Sequence, residues 1–133
     1  MARNETFHCS VITPERAVLE ADATFVAFPA HDGEVGILPG RAPLLSKMGI
    51  GELRVESPEG TPTCFVDGGF AQMVENRLTL LTDQAKALEE IVRAAVQRAL
   101  DEAKGMPTVT ESEFAARQRA VRRAEVQLHL TEG

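Results

Sequence analysis

The side chains that could carry chemistry fall into a few groups, and most of them dissolve on inspection. His31, Asp32 and Glu34 lie close enough to suggest a cation site, but Asp32-Gly33 is a strong turn signal. No second pair of ligands stands at metal spacing either, so no metal site is expected. His8 and His129 stand alone. Cys9 and Cys64 are too few for a disulfide scaffold and sit in alternating apolar segments, which reads as two buried free thiols. Gly33, Gly36 and Gly40 lack the spacing of a dinucleotide fingerprint, and no Gly-Lys-Ser/Thr phosphate loop occurs. With no Ser or Cys in a nucleophile setting beside a His, no catalytic residue is expected. What remains is Arg117, Arg119, Arg122 and Arg123, the densest basic cluster. It reads either as a solvated helix face or as a salt-sensitive docking patch for an acidic partner.

Composition narrows the partners. The chain has 133 residues, 44% hydrophobic, enough for one domain or a domain with an appendage. It has no Trp, no Tyr and six Phe, so stacking platforms for bases are scarce. The net charge of −6 is uneven: residues 1–83 carry twelve acids against six bases, and residues 84–133 carry eight of each. An acidic amino-terminal part repels a phosphate backbone, so nucleic acid is not an expected partner. No apolar run reaches the ~18–20 residues that span a bilayer, and Met1 to Cys9 lacks a secretory apolar core. The chain is therefore expected to stay where it is made, without membrane insertion.

Two grammars divide the chain. Up to residue 83 the apolar residues alternate in short runs bounded by turn residues, as in Phe7, Cys9 and Val11. Expected strands are Thr6–Thr13, Arg16–Ala21, Thr24–Ala30, Glu34–Leu38, Leu44–Met48, Gly51–Glu56, Thr61–Asp67, Gly69–Val74 and Arg77–Thr82. About nine or ten such strands imply an all-β sandwich. The tightest corner is Gly33–Ser46, GEVGILPGRAPLLS, where glycines admit positive φ while Pro39 and Pro43 fix φ and extend the residue before them.

From residue 84 the pattern turns helical. Ala85–Lys104 holds no Gly or Pro, and its apolar residues recur at Leu88, Ile91, Val92, Ala95, Ala99 and Ala103. Gly105 and Pro107 end that helix. Thr110 and Glu113 then match a capping box, opening a second helix to about Thr131 with a seam of Phe114, Val121 and Leu128. A short connection makes the two an antiparallel α-helical hairpin. Because the first helix beyond Val96 offers mainly Ala99, Leu100 and Ala103 and the second only one large residue every two turns, the docking of the hairpin is expected to be worth on the order of a few kcal/mol.

The corner Gly33-Glu34-Val35-Gly36-Ile37-Leu38-Pro39-Gly40-Arg41-Ala42-Pro43-Leu44-Leu45 resembles the epsilon subunit of bacterial rotary ATP synthases. Val66-Asp67-Gly68-Gly69-Phe70 and Leu78-Thr79-Leu80-Leu81-Thr82-Asp83 are similar to two further strands of that family, and the likeness covers about the whole chain. The resemblance implies an accessory, non-catalytic stalk subunit at the cytoplasmic face of the plasma membrane. Its β-sandwich, residues 1–83, would bind the gamma subunit and the polar loops of the rotor c-ring. Its helical hairpin, residues 84–133, would be mobile, permitting turnover when compact and blocking ATP hydrolysis when extended along gamma, with Pro107 breaking the extended form. The resemblance places Glu34 and Arg41 beside the rotor ring. Arg41 stands where the family usually has His, and it cannot titrate near neutrality. Arg117, Arg119, Arg122 and Arg123 would meet an acidic segment of the catalytic beta subunit within the alpha/beta head. The family's nucleotide motif aligns with Glu89-Glu90-Ile91-Val92-Arg93-Ala94, so that Glu90, Arg93, Ala94 and Arg123 would form at most a weak regulatory ATP site; no cofactor is required. The alternative is a free ATP-sensing module.

Overall fold

The computed structural model describes residues 5–131. The described chain divides into two compact units, through Ala87 and from Leu88 onward. The first holds eight strands: β1 Phe7–Ile12, β2 Ala17–Ala23, β3 Phe25–Ala30, β4 Gly33–Ile37, β5 Leu44–Glu56, β6 Thr63–Val74, β7 Arg77–Leu81 and β8 Ala85–Ala87. The second holds α1 Arg93–Lys104 and α2 Glu111–Leu130.

Strand order is β2-β1-β7-β6-β5-β3-β4, with β8 added to β6, and β1 runs parallel to β7. The long strands β5 and β6 explain how one hydrogen-bonded path makes two layers. Their first and last halves find different neighbours: β6 pairs with β7 through Phe70–Val74 and with β8 through Cys64–Val66. Likewise β5 meets β3 chiefly through Arg54–Glu56, while Leu44–Met48 faces only β6 apart from the Ala30–Met48 contact. These strands were each expected as two. Gly49, Gly51, Gly68 and Gly69 read as breaks, but the register stays constant across them, from Leu44 opposite Met73 to Arg54 opposite Thr63. The ladder runs on through the glycines, and the strand count falls to eight among the described residues.

Between the layers lies a core of Phe7, Cys9, Val11, Phe28, Ile37, Leu53, Val66, Met73 and Leu80 among others, all buried. Burial raises the Cys9 thiol to about 12, with Cys64 adding to it, and raises Cys64 to about 11, with Glu52 adding to it. Neither thiol should react with a disulfide reagent at pH 8 until the chain unfolds. Both pKa values lie above the unfolded value of 9.0, so their contribution to stability is intact below pH 9 and lost as pH rises through about 11 and 12. A thiol titration at pH 8, with and without denaturant, reads the first effect; a labelled native chain would contradict it.

The expected helix from Ala85 starts later. Ala85-Lys86-Ala87 pairs with Cys64–Val66 as β8, Leu88–Glu90 forms a single 3-10 turn, and α1 begins at Arg93. Ala and Lys favour helices, but the open edge of β6 outweighs that weak preference. The first unit thus runs four residues past the boundary expected at 83. The capping box is present: the Thr110 hydroxyl accepts from the Glu113 amide at 3.1 Å and the Glu113 carboxylate accepts from the Thr110 amide at 3.0 Å. Along α2 only Ala124 is buried, while Val121 and Leu128 are half-buried and Phe114 is 47% exposed, so the apolar seam is thinner than its spacing suggested.

Candidate partner-binding surfaces

Side chains alternate across a strand, so the face of β5, β6, β7 and β1 opposite the core can be read from register alone. One row crosses four strands: Lys47 opposite Phe70, Phe70 opposite Leu81, and Leu81 opposite Ile12. The next row holds Leu45, Gln72, Thr79 and Ser10. Leu45, Phe70 and Leu81 are 70%, 51% and 50% exposed, which leaves a contiguous apolar patch on a sheet. Beside it an open cleft of about 470 Å³ is lined by Ile12, Pro14, Lys47, Phe70, Leu81 and Asp83, among others. Apolar centre with charged ends is the anatomy of a protein-docking surface. Sequence reading missed it, although a signal existed: around Phe70, Val74 and Leu81 the strands are apolar on both faces.

At the far end of this sheet face, His8 bridges two carboxylates of β2, Nε2 to Glu20 at 3.1 Å and Nδ1 to Asp22 at 3.4 Å. These pairs are largely exposed and tie β1 to β2 with little net energy.

The corner between β4 and β5 is built as its residues require. The Arg41 amide donates to the Leu38 carbonyl at 3.2 Å across Pro39 and Gly40, with Gly40 at φ +80, the geometry of a type II turn. Gly36, by contrast, is in extended strand; its missing Cβ would stand 2.9 Å from the Phe25 ring, so it makes room for that ring. Asn76 holds the corner in place. Its carboxamide oxygen accepts from the Gly40 amide at 2.9 Å and its nitrogen donates to the Thr6 carbonyl at 2.9 Å. Asn76 and Glu75 themselves form the β6–β7 turn, with φ of 63 and 49. Glu34 and Arg41 are both exposed on this corner, and among the described residues no ion pair joins them; Arg41 instead reaches the Ala42 carbonyl at 3.3 Å. Each is open to an outside partner.

On α2 the four arginines do not share a face. At about 100° per residue, Arg119, Arg122 and Arg123 fall within an arc of about 100° while Arg117 points the other way, with Val121 and Leu128. Arg117 Nε donates to the Lys104 carbonyl at the end of α1, at 3.4 Å. The basic surface is therefore a three-arginine face, with Arg119 and Arg122 exposed and Arg123 half-buried.

The residues aligned with the nucleotide motif are also distributed by local structure. Glu90 ends the 3-10 turn, Arg93 is the first residue of α1 and Ala94 is exposed. The Arg93 guanidinium donates through Nη1 to the Leu128 carbonyl at 3.1 Å and to the Thr131 hydroxyl at 3.2 Å. Among the described residues, no group of three or more His, Cys, Asp or Glu is placed to hold a metal ion. No helix there is long and apolar enough to cross a membrane.

Residues 6–88 match the family described as ATP synthase, Delta/Epsilon chain, beta-sandwich domain. The ATP synthase epsilon chain of Rhodopirellula baltica is 40% identical over 123 residues, spanning 92% of this chain and 96% of that one. That of a Synechococcus species is 42% identical over 98 residues, 74% of this chain and 72% of the relative. Among solved structures, a chain of the Euglena gracilis mitochondrial ATP synthase (OSCP/F1/c-ring) superposes with a TM-score of 0.78 at 22% identity. It covers 91% of this chain and 78% of its own length, a likeness of fold.

Proposed function

This chain belongs to the ATP synthase delta/epsilon chain family, as an epsilon chain, and on that premise we propose that it is a non-catalytic subunit of the central stalk. The sandwich docks on the gamma subunit and the polar loops of the rotor c-ring, helping to couple ring rotation to ATP synthesis. The observation that supports this most is the exposed row of Phe70 and Leu81 flanked by Lys47 and Ile12. Such a surface loses free energy in water at about 25 cal/mol per Å² and recovers it under a partner. We assign that patch to gamma, and the polar corner bearing Glu34 and Arg41 to the ring. This assembly would hold the subunit at the cytoplasmic face of the membrane as a peripheral component.

The helical hairpin is the regulatory element, inhibiting ATP hydrolysis when its basic face of Arg119, Arg122 and Arg123 meets an acidic surface of the catalytic head. Truncating the chain after Lys104 is expected to raise ATP hydrolysis by the assembled complex several-fold while leaving assembly intact. Steady-state ATPase assays on matched complexes read this; equal rates would remove the inhibitory role. A free ATP-sensing module is the second reading. It would require Arg93 to leave Leu128 and Thr131 for a phosphate, which lowers any affinity by the cost of breaking those contacts.

A further inference from the structure

Segments far apart in sequence meet at Asn76, and each takes a different polar group from it. Its backbone carbonyl accepts from the His8 amide at 3.2 Å, its carboxamide nitrogen donates to the Thr6 carbonyl at 2.9 Å, and its carboxamide oxygen accepts from the Gly40 amide at 2.9 Å. The turn between β6 and β7 does not by itself call for this residue. At φ 63 a glycine closes it with less strain, and an aspartate offers an acceptor but no donor. What asparagine adds is a donor and an acceptor on one short planar group, directed at the start of β1 and at the β4–β5 corner.

The contact to Gly40 is the sensitive one. Its amide belongs to the Pro39-Gly40 peptide at the middle of the corner, and the two common turn types differ chiefly by a flip of that central peptide, from ψ of about −30° to about +120° at the residue before the glycine. With Gly40 at φ +80 the corner is in the second form, and the Asn76 carboxamide holds the amide on that side. Leu38 and Arg41 flank this peptide and close the turn through carbonyl and amide. Leu38 is 61% exposed and Arg41 is exposed, so a flip changes how both side chains are presented.

We propose that Asn76 is a positioning residue for ring docking: it fixes the Pro39-Gly40 peptide, and thereby offers Leu38 and Arg41 to the c-ring in one arrangement. This rests on the assignment of that corner to the ring. A surface ordered beforehand binds more tightly than one ordered on contact, because the competent form is already populated.

The test is Asn76→Gly, which removes the carboxamide and keeps the turn, since glycine adopts positive φ freely. In the free chain the Gly40 amide is expected to exchange with deuterium about fivefold faster, the effect of losing one neutral hydrogen bond. Affinity for a purified gamma–c-ring subcomplex is expected to fall about threefold to fivefold, while affinity for gamma alone stays at the wild-type value. Asn76→Asp keeps the acceptor for Gly40 and loses the donor to Thr6. At high salt, where its added charge is screened, it is expected to restore binding to the subcomplex. An unchanged Gly40 exchange rate overturns the proposal, as does wild-type affinity of Asn76→Gly for the subcomplex while Arg41→Ala weakens it. An equal loss for gamma alone also overturns it, marking Asn76 as a residue of general stability. A wild type that binds the subcomplex no more tightly than gamma alone, with Arg41→Ala without effect, overturns the ring assignment on which the proposal stands.

Discussion

Replacing Gly69 by alanine is expected to destabilise the sandwich by more than about 4 kcal/mol, a large share of the 5–15 kcal/mol that holds a domain of this size. Gly69 lies at φ +109, where side chains are strained. A Cβ there would overlap the Leu81 carbonyl oxygen and stand 2.8 Å from both the Leu81 carbonyl carbon and Thr82 Cα. All three are backbone atoms, of the last residue of β7 and the residue after it, so no rotamer change relieves the clash and the chain there must itself move. Gly60→Ala is the control. Gly60 has φ +149 but nothing within 4 Å of the added carbon, so only the conformational cost remains, about 1 kcal/mol. Urea midpoints of the two variants read the difference directly. Equal midpoints would mean that β6 and β7 do not approach at Gly69 as described.

The second large effect concerns association. Phe70→Asp and Leu81→Asp each place a charge in the middle of the exposed row, and the double variant is expected to weaken binding to purified gamma at least about a hundredfold, as for buried interface anchors. Neither side chain is part of the sandwich core, so stability should change by no more than about 1 kcal/mol. Calorimetric titration of the gamma subunit, alongside thermal melting of the free chain, separates the two quantities. Binding that survives both substitutions would move the gamma interface to another face.

Much of this architecture could be read from residue order because its causes are local. The Pro39-Gly40 corner, the Glu75-Asn76 turn and the Thr110–Glu113 box each act within four residues, and each stands where its residue types demand. The misreadings share a cause of the opposite kind. Gly49 and Gly68 looked like strand ends because a glycine's local effect is to loosen the chain, whereas here cross-strand register carries the ladder through. Ala85-Lys86-Ala87 looked helical until an unpaired edge of β6 claimed it. Asn76 ties together residues as far apart as Thr6 and Gly40, and no spacing rule points to that. The arginines of α2 were read as one cluster from their density. Helical rotation separates Arg117 from the others, a distinction that the 3.6-residue period already contained.

The parallel pairing of β1 with β7, with Ile12 beside Leu81, bears on how the protein is born. On the ribosome β1 can meet β2 within moments, but its other edge stays without a neighbour until β7 emerges roughly seventy residues later, some 4–14 s at ordinary rates of synthesis. The sandwich therefore closes late in translation, and an arrest placed before Arg77 should yield a nascent chain that proteases cut freely.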